Sequence, residues 1–181
     1  MIKKWKFIDR EPLLNHPRMK IVEDSVELPT GKITKYIREA PVSYSSVTVI
    51  AINNENEILI QREYSYPPNE IMYQLPGGKM NIDEDVILAA NRELSEESGY
   101  TAEDCTVLGW FYVNNRRSDA NQHVVLCKNI KIEKLQEDEE EFIESEWFSN
   151  TEINELIKDG KIVNMNMLAA LQLFNSYAAT N

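Results

Sequence analysis

An α+β fold is predicted for this 181-residue chain, and three observations carry the prediction. Short runs rich in β-branched residues, separated by turn signals, fill most of the first half. Two stretches with helical spacing stand later, one acidic near 81–98 and one apolar near 164–179. A hydrophobic content of 43% suffices for the core of one globular domain.

The elements follow in order. "KWKFIDREPLL", "MKIVEDSVEL" and "KITKYIREA" are strand-like, and Pro29-Thr30-Gly31 between the last two reads as a hairpin turn with Gly31 at positive φ. "SSVTVIAI" and "EILIQREYSY", joined by "NNEN", read as central strands forming a second hairpin. Pro67 and Pro68 end that strand, and "IMYQLPGG" is a short strand running into a proline-glycine bend. Residues 81–98 read as a helix capped by Asn81 or Asp83, with Glu84 at capping-box spacing from Asn81 and Gly99 as the stop. Val86, Ala89, Ala90 and Leu94 form its apolar stripe, so the opposite face holds the acids. "CTVLGWFYV" and "HVVLCKNI" are strand-like around the polar loop "NNRRSDANQ". The acidic run "QEDEEEFIESEWFS" precedes a helix at about 151–159, with Ser149 and Glu152 as its capping box and Gly160 behind it, and "NMNMLAALQLFNSYAA" makes the last helix.

Charge and composition exclude several classes. A net charge of −11 with a pI near 4.7 leaves no basic stripe for a nucleic-acid backbone, so no nucleic-acid partner is expected. No apolar run reaches the roughly 18–20 residues of a membrane span, and the first residues have no secretory pattern, so the expectation is a cytoplasmic protein without a membrane partner. Cys105 and Cys127 lie far apart, outside any CxxC or Cys/His cluster, and read as small hydrophobes of a reducing compartment rather than as a disulfide or zinc site. His16 and His123 are single and read as structural or surface residues.

The acidic helix raises a question of charge. Glu93, Glu96 and Glu97 stand at i, i+3 and i+4, which gathers three like charges on one face, and Arg92 alone leaves them under-compensated. An isolated acidic face of this kind is usually only a solvated one. A divalent cation would compensate it, and oxygen-only donors suit Mg²⁺ or Mn²⁺ rather than zinc. Gly77 and Gly78, just ahead of the helix, allow close backbone approach, so that a carbonyl there becomes a further oxygen donor.

The spacing is more specific than the charge. Gly78, five residues, Glu84, seven residues, Arg92-Glu93-Leu94, one residue, Glu96-Glu97, one residue, Gly99-Tyr100 matches the signature of the Nudix hydrolases, in which Tyr100 replaces the more usual aliphatic residue. "IQREYSYP", "YQLPGGK" and "IKDGKIVNMNMLAALQLF" are similar to stretches of its ADP-ribose pyrophosphatase branch. The resemblance implies a Nudix α/β/α sandwich with a mixed β-sheet and an N-terminal antiparallel β extension, with residues 1–43 as that dimerising extension and 44–181 as the hydrolase domain. It implies metal-dependent hydrolysis of the diphosphate bond of a nucleoside diphosphate sugar, and a homodimer. Hydrolysis of dinucleotides or nucleoside triphosphates, and a non-catalytic nucleotide-sugar sensor, are the competing readings.

By the same resemblance Gly77, Glu93, Glu96, Glu97 and Glu141 are metal ligands, and Glu96, Glu139, Glu141 and Arg92 form the catalytic set. Arg92 orients the glutamates and Glu84 braces the start of the motif. Arg62, Tyr64, Arg116 and Arg117 are the implied substrate-binding residues. The branch tends to have an arginine where this chain has Ser65, and Arg116 and Arg117 offer guanidinium forks in its place.

Overall fold

The computed structural model describes residues 1–42, 45–133 and 142–180. The chain divides into two compact units, residues 1–43 with 112–120, and residues 44–111 with 121–181.

The first unit is built on a three-stranded antiparallel sheet in the order β1-β2-β3, formed by β1 (Lys6–His16), β2 (Met19–Glu27) and β3 (Ile33–Glu39). Gly31, at φ 83°, makes the turn between β2 and β3, where Gly31 N–H donates to the Leu28 carbonyl at 2.9 Å. Val22, Asp24 and Val26 alternate along β2 and are buried on one face. Asp24 is tolerated there because Arg10 grips it with two hydrogen bonds, of 2.6 and 2.8 Å, which hold its carboxyl below the usual range. Residues 114–120 are tied to β3: Tyr36 Oη donates to the Arg116 carbonyl, Arg117 Nη1 to the Ile37 carbonyl, and Arg38 pairs with Asp119.

The second unit holds β4 (Ser46–Ala51), β5 (Ile58–Ser65), β6 (Glu70–Gln74), α1 (Val86–Ser98), β7 (Tyr100–Tyr112), β8 (Asn121–Ile132), β9 (Ile143–Phe148), α2 (Asn150–Lys158) and α3 (Met165–Ala178). Its strands pair as β4-β8-β7 and as β6-β5-β9. β4 runs parallel to β8, whereas β5 is antiparallel to both its neighbours, so the strand pairing is mixed. Alternation sorts the strand residues between two cores. Val47, Val49, Ala51, Leu59, Val125 and Cys127 pack with Ala89, Ala90 and Leu94 of α1. Ile50, Ile58, Ile60, Val124 and Leu126 pack with Ile153 of α2 and with Met167, Ala170 and Leu171 of α3. β4 and β8 are covered on both faces, which is why they read as continuous apolar runs. The layers are those of an α/β/α sandwich.

Four expectations are corrected. "SSVTVIAI" and "EILIQREYSY" do not form a hairpin: a single bridge, Ile52 with Ile58, joins them before β4 goes to β8 and β5 to β6 and β9. The acidic helix starts at Val86, not near 81, because Asp83 sits at φ 61° in the left-handed region and Asp85 is the cap. Residues 143–148, read as part of an acidic run, are a strand. Cys105 and Cys127 are joined as a disulfide across β7 and β8, with Cα atoms 4.4 Å apart. Their 22-residue separation hides a proximity that strand pairing creates. No helix among the described residues is long and apolar enough to cross a membrane.

Candidate active site

The loop ahead of α1 is laid along β4: Val49 N–H donates to the Pro76 carbonyl at 2.8 Å and Val47 N–H to the Gly78 carbonyl at 2.9 Å. Gly77 is required there by the backbone it faces, and Gly78 leaves room for the Glu93 carboxylate. A Cβ on Gly77 would strike the Val47 carbonyl, and one on Gly78 would sit 2.5 Å from Glu93 Oε2. The loop therefore presses directly on the glutamate it precedes, and Gly77 N–H donates to Glu97 Oε2 at 3.0 Å.

α1 is set by its ends. The Asp85 carboxylate accepts from the N–H groups of Ile87 and Leu88 at 2.9 and 3.2 Å, and Gly99, at φ 71°, closes the helix by donating to the Ser95 carbonyl. On its sheet side, Asn91 Oδ1 accepts from Thr101 Oγ1 and from Ala102 N–H at 3.0 and 2.8 Å.

Arg92 answers the question of charge more fully than its count suggests. Its Nε and Nη2 take both oxygens of Glu84 at 2.9 and 3.0 Å, its Nη1 reaches Glu93 Oε1 and Glu96 Oε2 at 2.9 Å each, and Nη2 also donates to the Lys79 carbonyl. One guanidinium fork thus binds three carboxylates, which suits its planar donor geometry. The Glu84 carboxyl is held down to about 2, first by Arg92 and then by the Asn81 N–H, and the acids in turn raise the Arg92 pKa. Glu93 is 8% exposed, whereas the side chain of Glu96 is 42% exposed.

The other predicted residues are placed as follows. Among the described residues, no three Asp, Glu, His or Cys side chains are grouped so as to hold a metal ion by themselves. Glu139 and Glu141 lie outside the described residues. Arg62 Nη2 donates to Glu144 at 2.8 Å and Tyr64 Oη to Asn69 at 2.9 Å. Both alternate with Ile58 and Ile60, on the face of β5 opposite α1. Arg116 and Arg117 belong to the first unit, where Arg117 stacks over Tyr36 at 5.9 Å. The side chains that β5 and β6 do present on the α1 face, Gln61, Glu63 and Gln74, were not singled out from the sequence. Period-two alternation through "LIQRE" was the signal that could have found them.

The chain belongs to the NUDIX family: the NUDIX domain pattern matches residues 43–171. It is accordingly a hydrolase of the Nudix pyrophosphatase class. It is similar to the ADP-ribose pyrophosphatase of Bacillus subtilis (strain 168), with 33% identity over 77% of this chain and 75% of that protein. It is also similar to the methanol dehydrogenase activator of Bacillus methanolicus, with 32% identity over 92% and 90% of the two chains, and to the ADP compounds hydrolase NudE of Escherichia coli (strain K12), with 26% over 84% and 81%. A crystal structure of an ADP compounds hydrolase superposes with a TM-score of 0.92 at 22% identity, covering 99% of this chain and 97% of that one, which shows the shared fold.

Proposed function

We propose that the protein hydrolyses the diphosphate bond of an ADP-ribose-like nucleoside diphosphate sugar, with Mg²⁺ or Mn²⁺, to a nucleoside monophosphate and a sugar phosphate. The observation that carries this reading is the gathering of Glu84, Glu93 and Glu96 on one guanidinium, with Glu97 held by the N–H of Gly77, where the loop has no room for a side chain. Two relatives named for ADP-ribose and for ADP compounds support an ADP-containing substrate.

The donor set fits a hard divalent cation, since carboxylates and a backbone carbonyl offer oxygen alone. Glu93, Glu96, Glu97 and the Gly77 carbonyl would hold it, with Glu141 as a further ligand. When bound, such an ion neutralises charge on the diphosphate and makes water more acidic. Arg92 keeps Glu93 and Glu96 from turning outward and so preserves their geometry before ligand arrives. Glu96, half-exposed and charge-paired, is one group able to accept a proton from the attacking water, and Glu139 is the other candidate base. Arg62, Tyr64, Arg116 and Arg117 stay candidates for substrate binding. A homodimer through residues 1–43 belongs to the same proposal, supported by Trp5, Phe7, Leu13 and Leu14, about half-exposed on or beside β1.

The test is release of a monophosphate from ADP-ribose, GDP-mannose, UDP-glucose, diadenosine polyphosphates and nucleoside triphosphates, with and without chelator. Chelator-sensitive cleavage of a diphosphate sugar is the expected result. Cleavage of triphosphates alone overturns the substrate class, and binding without turnover replaces catalysis by sensing.

A further inference from the structure

β5 lies between β6 and β9, and its residues alternate between the two cores: Ile58 and Ile60 pack with α2 and α3, and Leu59 with the α1 core. Gln61 follows Leu59 by two residues and therefore projects on the α1 side. It is 0% exposed, and neither its Nε2 nor its Oε1 has a hydrogen-bond partner. A primary amide carries two donors and two acceptor sites. Leaving it buried and unpaired is destabilising, whereas an apolar side chain of the same size would fill the place without that penalty.

The neighbours of Gln61 are polar as well. Strand register sets Ser145 of β9 on one side of it and Gln74 of β6 on the other, and Gln74 Nε2 donates to Glu63. The row one step away along β5 is apolar, Leu59 beside Trp147. Gln74 stands three residues before Gly77, whose N–H donates to Glu97. A polar row thus crosses three strands on the sheet face that α1 covers, and the member buried in its middle is unsatisfied.

Resting on the functional reading above, we infer that Gln61 is a positioning residue of the hydrolytic site. Its amide fixes the carboxylates of Glu93 and Glu97, directly or through an ordered water, once ligand and cation have drawn them into their working arrangement. The unpaired amide of the ligand-free protein is then a stability cost kept for function.

The experiment compares wild type with Gln61→Met, close in volume but without the amide, and with Gln61→Leu. It measures the thermal midpoint of the ligand-free protein, Mn²⁺ binding by calorimetry, and kcat and KM on ADP-ribose. The expected result is a midpoint raised by about 3 °C or more, Mn²⁺ binding weakened about tenfold, kcat lowered about tenfold or more, and KM within about threefold. A lowered midpoint with unchanged Mn²⁺ binding and kcat overturns the inference, as does failure of both variants to fold, because either result makes Gln61 a structural group. If wild type releases no monophosphate from any substrate, the functional reading falls, and the Mn²⁺ isotherm and midpoint still decide the role of Gln61.

Discussion

The two faces of the strands in the second unit are covered by helices in different ways. Under α2 and α3 the packed side chains are apolar: Ile50, Ile58, Ile60, Val124 and Leu126 meet Ile153, Met167, Ala170 and Leu171. Around α1 an apolar patch of Val47, Val49, Leu59, Ala90 and Leu94 gives way to Glu93, buried, and Glu97, held by the Gly77 N–H. The first face maximises removal of apolar area from water and contributes stability. The second gives up part of that gain to hold buried or half-buried charge, and it can do so because Arg92 and the Gly77 N–H satisfy the carboxylates. The strand layer thus separates apolar packing from buried charge by side.

Substitutions on each side test that separation. Glu97→Gln removes a charge while keeping the shape, so kcat on the best substrate is expected to fall on the order of 10²–10³-fold with little change in thermal midpoint; unchanged turnover would remove Glu97 from the ion-binding set. Met167→Ala, at a residue 1% exposed, should cost about 2–5 kcal/mol in urea unfolding while kcat per folded molecule stays the same. A drop in kcat without loss of stability would break the comparison. The smallest effect concerns Glu84, whose native carboxyl lies at about 2 against an ordinary 4.5. A depressed carboxylate contributes stability that is full above about 4.5 and is lost as pH falls toward about 2. Glu84→Gln should therefore be less stable than wild type at neutral pH by about 1–2 kcal/mol and should show a shallower loss of stability across that acid window. Parallel acid-unfolding curves for the two proteins would contradict the Arg92 pairing.

What was legible in the sequence was local. The Gly-Glu-Arg-Glu spacing, the α1 stop at Gly99 and the Ser149 and Glu152 capping box all depend on residues within a few turns of one another, and the structure has each in place. The start of α1 was not legible, because nothing in "NIDED" announces that Asp83 takes a left-handed conformation. Partners distant in sequence were hidden too. β4 leaves β5 after one bridge to lie beside β8, the pairing of β7 with β8 brings Cys105 to Cys127, and the insertion of β5 between β6 and β9 buries Gln61. β9 carries an alternating I-E-S-E-W-F pattern that the acidic run ahead of it obscured.

Adjacent residues of α1 fasten the helix in opposite directions. Asn91 ties it to Thr101 and Ala102 at the start of β7, and Arg92 ties it back to Glu84 and to the carbonyl of Lys79. The stretch from Gly78 to Arg92 is in this sense a closed mechanical linkage, and the fixed intervals of the signature are the lengths of its links. Such a linkage does not stretch. One residue inserted or deleted between 85 and 91 would part Arg92 from Glu84 even with every charged group retained, so this stretch should tolerate changes of side chain far better than changes of length.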